Sequence, residues 1–194
     1  MTFNFMNKQK ELDRISKEIK NCKECKMDKI GVSVPGEGDP DADIVFIGEA
    51  PGKLEAKEGR PFIGRSGQLL RGLIRDIGLK EEEVYITSPV KYLPVRGTPT
   101  SGEITHGRTH LMEQFDIIKP KVVVLMGRVA AEGVLEKKVA VVKEHGQVIM
   151  QEGGQAGGQI KYFLTYHPAA VLRFPWKFKD LMIEDFQKIP KLVI

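Results

Sequence analysis

Residues 44–70 read IVFIGEAPGKLEAKEGRPFIGRSGQLL, and the fold is read outward from them. Ile44-Val45-Phe46-Ile47 is a short apolar run, rich in β-branched side chains and closed by Gly48, which is the pattern of a buried strand. The chain then carries glycines at 48, 52, 59 and 64, prolines at 51 and 61, carboxylates at 49, 55 and 58, and an isolated Phe62, before passing into a helix. Structureless stretches of this length are usually functional or disordered. A strand that ends in a turn controlled by Gly and Pro places backbone N–H groups and a carboxylate at the carboxyl end of a sheet, where open α/β sheets bind ligands.

The rest of the chain alternates strand and helix. Leu12, Ile15 and Ile19 make an amphipathic helix over 8–20, followed directly by Cys22-Lys-Glu-Cys25. Ser66 is the expected N-cap of a helix with Leu69, Leu70, Leu73, Ile74 and Ile77 on one stripe and Gly78 closing it. Strands are expected at 84–87, 122–125 and 160–165. Thr100-Ser-Gly-Glu103 is a capping box for a helix that Pro120 stops. Residues 139–151 read as one or two strands, 153–158 as a glycine-rich turn, and 176–189 as a last amphipathic helix. Strands alternating with helices predict an α/β fold with a parallel sheet covered on both faces.

The chain of 194 residues fits one domain, 1–194, with the N-terminal helix and the CxxC in 1–30. Its apolar runs are too short to span a bilayer, and no signal-peptide pattern opens it, so the reading is an intracellular, cytoplasmic protein without membrane attachment, taken as a monomer. A net charge of +4 permits a nucleic-acid partner without requiring one. Two thiolates two residues apart suit a metal or a cluster, and redox CxxC pairs normally sit at a strand-to-helix junction rather than after a helix.

In a parallel sheet the carboxyl ends of strands one, two and four share an edge. Gly48–Phe62, Ser88 and His167 therefore meet in one cleft although they are distant in sequence. Gly52-Lys53 resembles the end of a phosphate-binding P-loop, but Ile47 and Leu54 stand where Gly and Ser or Thr are needed. Neither G-x-G-x-x-G nor G-x-S-x-G occurs. Glu49 and Glu55 are of the type that positions a water or steadies a developing positive charge. Phe62 suits stacking on a planar ring. His167, just before Pro168, suits a hydrogen bond to a leaving group gaining negative charge.

GEAPGKLEAKEGRPFIGRSGQLL, together with YHPAAVLR about a hundred residues later, resembles the family 4 uracil-DNA glycosylases of the wider uracil-DNA glycosylase superfamily. The early CxxC, VYITSPVKY and KPKVVVLMG extend the resemblance over nearly the whole chain. It implies a three-layer α/β/α sandwich around a four-stranded parallel sheet. It implies a DNA repair enzyme that flips uracil, or a related deaminated base, out of DNA and hydrolyses its N-glycosidic bond. The implied catalytic groups are Glu49, Glu55 and His167. The implied base pocket is Gly48, Ala50, Pro51, Gly52, Phe62 and Ser88, and Pro168, Leu172 and Arg173 are the implied DNA contacts. The implied partner is DNA containing uracil or deaminated bases, and the bond cleavage itself needs no cofactor.

Three features depart from the family pattern. The family holds a [4Fe–4S] cluster on four cysteines, whereas this chain has only Cys22 and Cys25, with Tyr92 and Gly107 at the other two places. An intact four-cysteine cluster is therefore not expected, and His106 and His110 are near enough in sequence to act as substitute ligands. Ser88 replaces the Asn expected to read the Watson–Crick edge of uracil. Ala56 replaces the second carboxylate of the loop. These changes leave a second reading open: a DNA-binding homologue that has lost the chemistry or changed its base range.

Overall fold

The computed structural model describes residues 2–153 and 158–193. The glycine-rich turn expected at 153–158 lies largely outside the described residues. The chain opens with α1 (Thr2–Asn21) and the short α2 (Lys23–Lys26), then β1 (Lys29–Ile30) and β2 (Glu37–Gly38). The decisive stretch forms β3 (Ile44–Ile47), α3 (Lys53–Glu58) and α4 (Arg65–Asp76). Next come β4 (Tyr85–Thr87), β5 (Leu93–Pro94), α5 (Ser101–Ile118), β6 (Val122–Met126), α6 (Arg128–Leu135) and α7 (Val141–Glu144). β7 (Val148–Gly153), β8 (Gly158–Thr165), α8 (Pro168–Arg173) and α9 (Pro175–Lys188) complete the described chain.

The expected four parallel strands stand in the order β4-β3-β6-β8, and antiparallel β2 and β7 widen the sheet to six. β3 and β6 are buried along their whole length, as strands covered on both faces must be. Period-two alternation splits their side chains between two cores. Val45, Ile47, Val123 and Leu125 face α1, α5 and α6. Ile44, Phe46, Val122, Val124 and Met126 face α4, α8 and α9, where the Phe46 and Phe186 rings stack at 5.8 Å. This is the three-layer α/β/α arrangement.

Two expectations are corrected. Residues 139–151 are a helical turn, α7, followed by one edge strand, because Ala140 N–H is held by the Glu144 carboxylate at 2.7 Å and the turn closes on itself. The N-cap of α4 is Gly64 rather than Ser66. No side chain caps its first turn; a carboxylate from α3 instead binds the N–H groups of Ile63 and Gly64 just before it. The Thr100 capping box is present with both its hydrogen bonds.

A buried polar cluster fixes the end of β4, where the chain turns toward Ser88. The Lys91 ammonium is 2 % exposed and donates to Thr87 Oγ1 at 2.7 Å, Gln114 Oε1 at 2.8 Å and the Pro35 carbonyl at 3.0 Å. Gln114 Nε2 donates to the same Pro35 carbonyl at 2.8 Å. Burial draws the lysine pKa down to about 7, while three acceptors match the three N–H of the charged form. The cluster ties β4, α5 and the 34–36 loop together.

Removing one member leaves the others buried and unpaired. Gln114→Leu should lower unfolding free energy by about 3 kcal/mol in urea titration, and Lys91→Met should recover part of that loss in the double variant. Additive losses would mean that the two side chains act independently.

Candidate active site

A cavity of about 540 Å³ opens at the carboxyl edge of the sheet, where β3, β4 and β8 end. Glu49, Ala50, Pro51, Gly52 and Glu55 line one side, and Phe62, Ser88 and His167 line the rest. The structure thus brings together all the expected catalytic and base-pocket residues except Gly48, which lies beside the cavity. A Cβ on Gly48 would run into the Phe62 ring and stand 3.7 Å from His167 Nε2, so only glycine lets the ring sit there. Pro168, Leu172 and Arg173 do not line the cavity. They follow on α8, with Pro168 buried at its first turn and Leu172 and Arg173 exposed.

The loop is held by two long side chains. Glu55 Oε1 accepts from the backbone N–H of Ile63 at 3.0 Å and of Gly64 at 2.8 Å. A carboxylate at the start of α4 ties the two residues that lead into the helix and complements its dipole. Arg71, from the second turn of α4, donates to the Phe62 carbonyl at 3.0 Å and the Pro61 carbonyl at 3.0 Å. Its guanidinium is itself paired to Glu37 and Glu81. Between these two anchors Phe62 adopts φ of 51°, an uncommon conformation for a bulky side chain. Its ring is turned to His167, with centroids 5.9 Å apart.

His167 is the N-cap of α8. Its Nδ1 accepts from the Ala169 N–H at 3.1 Å, so a neutral ring carries its proton on Nε2. Burial lowers its pKa to about 4, which keeps the ring neutral. The turn after β6 backs the ring: Gly127 has φ of 86° and packs where a Cβ would be 2.9 Å from His167 Cβ. Burial also raises the Glu49 carboxyl, against the pull of the Arg128 charge. Ser88 is buried, and its hydroxyl donates to the Val90 carbonyl at 2.8 Å, so toward the cavity it presents lone pairs. Ala56 is buried against Gly31 and does not line the cavity, so the loop's missing second carboxylate is not replaced there.

Lys53, Arg65, Ser66 and Ala169 also line the cavity, and sequence reading did not place them in the site. Arg71 was missed as well. In sequence it is one charged residue on the polar face of an amphipathic helix, and nothing in its spacing shows that it reaches back to the loop.

Cys22 and Cys25 lie elsewhere, at the junction of α1 and α2 against α5. With His106 and His110 they form a group whose ligand atoms all lie within 4.8 Å of one another. With two cysteines in 194 residues, one chain cannot supply a four-cysteine iron–sulfur cluster.

Residues 35–189 match the profile of the uracil DNA glycosylase superfamily. The chain is 40% identical over 190 residues to the type-4 uracil-DNA glycosylase of Sulfurisphaera tokodaii, covering 94% of this chain and 85% of that one. It is 37% identical to the type-4 enzyme of Archaeoglobus fulgidus, covering 93% and 92% of the two chains. The type-4 enzyme of Thermotoga maritima is 36% identical, over 94% of each chain.

The His167 geometry has a direct spectroscopic consequence. Nitrogen-detected NMR should show a neutral Nε2–H imidazole until the pH falls to about 4. Because the unfolded ring titrates near its ordinary 6.5, the unfolded state binds the extra proton between these values, and stability should rise with pH across that window. A His167 signal titrating near the ordinary value would contradict the buried, singly protonated ring.

Proposed function

The chain belongs to the uracil-DNA glycosylase superfamily, and from that membership we propose that it removes uracil, or a related deaminated base, from DNA by hydrolysing the N-glycosidic bond. The observation that carries this reading is the position of a neutral Nε2–H donor, an aromatic face and a half-buried carboxylate around one cavity at the sheet edge. A duplex base enters such a cavity only after rotating out of the stack, which is easier for a mispaired base.

In this reading Phe62 stacks on the flipped base, and the Ala50–Gly52 backbone borders it. As the C1′–N1 bond breaks, its electron pair passes to the base, and negative charge grows on N1 and O2. His167 Nε2–H donates to O2 in that state, and a neutral donor suits the task because it holds the oxyanion without transferring its proton. Glu49 stands where a carboxylate steadies the cationic sugar and orients the water that adds to C1′. The water's hydroxyl ends on the sugar, and its proton leaves with the base. Glu55 positions rather than reacts, since it spends an oxygen on the loop. The chemistry draws on no cofactor in this account.

Leu172 and Arg173 project from α8, directly after His167, which suits contact with the DNA flanking the lesion. The chain acts as one domain over 1–194, inside the cell and as a monomer. No described helix is long and apolar enough to cross a membrane. Ser88 favours a widened base range. An Asn amide both donates and accepts in fixed directions, whereas the Ser88 hydroxyl has its proton on Val90 and offers the base only an acceptor.

An oligonucleotide with a single U·G pair, treated with protein and then alkali, should be cut. His167→Ala should slow single-turnover base release by about 10²–10³-fold with little change in Kd. Arg173→Ala should weaken DNA binding and shallow its log–log salt slope by about 1, leaving the bound rate near normal. No cleavage of U·G, U·A or single-stranded uracil at high protein excess would sink the catalytic reading and leave the DNA-binding homologue.

A further inference from the structure

The second cluster of chemistry-bearing side chains lies away from the cavity, at the N-terminal helices. We propose that Cys22, Cys25, His106 and His110 hold one tetrahedral divalent ion of the zinc class, in place of the iron–sulfur cluster that the family resemblance implies. The ion is a structural clamp between the α1–α2 junction and α5.

Four observations converge. The first is donor set and spacing. Cys22-x₂-Cys25 and His106-x₃-His110 match the paired spacings of Cys₂His₂ zinc sites, and the two histidines fall one turn apart on one face of α5. The second is size. The four ligand atoms lie within 4.8 Å of one another, and Cys22 Sγ and His106 Nε2 are 3.2 Å apart. Bond lengths of about 2.3 Å to sulfur and about 2.0 Å to nitrogen put tetrahedral ligands roughly 3.3–3.8 Å from each other. A four-iron cube carries its ligands on outer corners and needs a wider cage.

The third is polar accounting. Both ring nitrogens of His110 are buried without a hydrogen-bond partner. Such an orphan calls for an explanation, and a metal bond supplies one. The fourth is the outer layer. His106 Nδ1 meets the Glu24 carboxylate at 3.2 Å, which leaves Nε2 for the ion, and Cys22 Sγ already accepts the Cys25 N–H at 3.3 Å. Carboxylates behind ligating imidazoles are the usual second partners of a zinc histidine. Glu18 and Glu113 lie near His110, their carboxylate oxygens within 4.8 Å of its ring nitrogen, but neither is hydrogen-bonded to it.

The two places where the family has its other cysteines carry no sulfur here, and each is occupied in another way. A Cβ on Gly107 would collide with the Pro89 carbonyl. Tyr92 is buried among Ile15, Ile19 and Cys25, with its hydroxyl donating to the Ile19 and Lys20 carbonyls. With four protein ligands and no open position, the ion is structural rather than catalytic.

The test uses the full chain, purified under reducing conditions and reconstituted with Zn²⁺ or Co²⁺. Elemental analysis should find about one zinc per chain and no inorganic sulfide. The Co²⁺ form should show the intense visible bands of a tetrahedral site together with thiolate charge transfer. His110→Ala and Cys22→Ser should lose both, with folding checked by circular dichroism. Glu24→Gln keeps every ligand and should weaken zinc binding by about 10–100-fold, which guards against a ligand variant that simply unfolds. A brown protein with matching iron and sulfide would overturn the proposal. So would a weak octahedral Co²⁺ spectrum, or a tetrahedral one unchanged in the folded His110→Ala protein.

Discussion

The active cavity depends on one charge-assisted contact: the Glu55 carboxylate on the N–H groups of Ile63 and Gly64. Without it α3 is a six-residue helix, too short to persist alone, attached to a loop rich in glycine and proline. With it the loop becomes a closed ring that starts at β3 and ends at the first turn of α4. Gly52 and Gly64 are glycines partly for this reason. A Cβ at Gly52 would stand 2.6 Å from Glu55 Oε2, and one at Gly64 would stand 3.2 Å from Oε1. Arg71 completes the closure from the helix side and holds the two carbonyls around Phe62. The positive φ of Phe62 is tolerated because both of its neighbours are tied.

That arrangement explains what could be read from the sequence and what could not. The strands were legible because β3 and β6 are unbroken apolar runs and each ends in glycine, a signal that needs no partner to interpret. The layers followed from the alternation of strand and helix. The meeting of Glu49, Phe62, Ser88 and His167 was legible for the same reason: a parallel sheet puts successive carboxyl ends on one edge. The N-cap of α4 was not legible. Ser66 has the right chemistry, but the helix already begins at Arg65, where Glu55 from α3 ties Ile63 and Gly64, and a contact across a loop leaves no mark in local spacing. Arg71 and Lys91 were invisible in the same way. Each is a cation in an ordinary polar context, and only packing shows that one grips a loop and the other is buried.

Two polar centres are buried on either side of the 88–100 segment, and they do different work. The Lys91 cluster holds the end of β4, hence Ser88, by satisfying every donor it buries. The Cys₂His₂ group lies on the far side, where α1 meets α5, and there both His110 ring nitrogens are buried without a hydrogen-bond partner. Burial of polar groups is tolerated when each finds a partner. The first centre meets that condition with protein atoms, and the second meets it once an ion joins. Leu12, Ile15 and Ile19 already dock α1 by apolar contact, so a clamp there sets the register of a helix whose burial is secured by other means.

The cavity's electrostatics bear on selectivity as much as on rate. His167 is kept uncharged by burial and by donation from Ala169, and Glu49 is raised rather than lowered by its surroundings. In the proposed mechanism the neutral His167 ring puts no net charge against a base in its ground state, and the Glu49 carboxylate acts on the sugar. Both interact most strongly when charge appears, negative on the base and positive on the sugar. In the proposed reading such a pocket binds the transition state better than the flipped base, which is the condition for acceleration. Discrimination among bases then falls to the groups that touch the ring edge, and here Ser88 is the short one. A hydroxyl already bonded to Val90 rejects few hydrogen-bonding patterns, since it offers an acceptor without a directed donor. The proposed mechanism thus separates catalysis from base reading, one set by the loop and His167, the other by a single position at the end of β4.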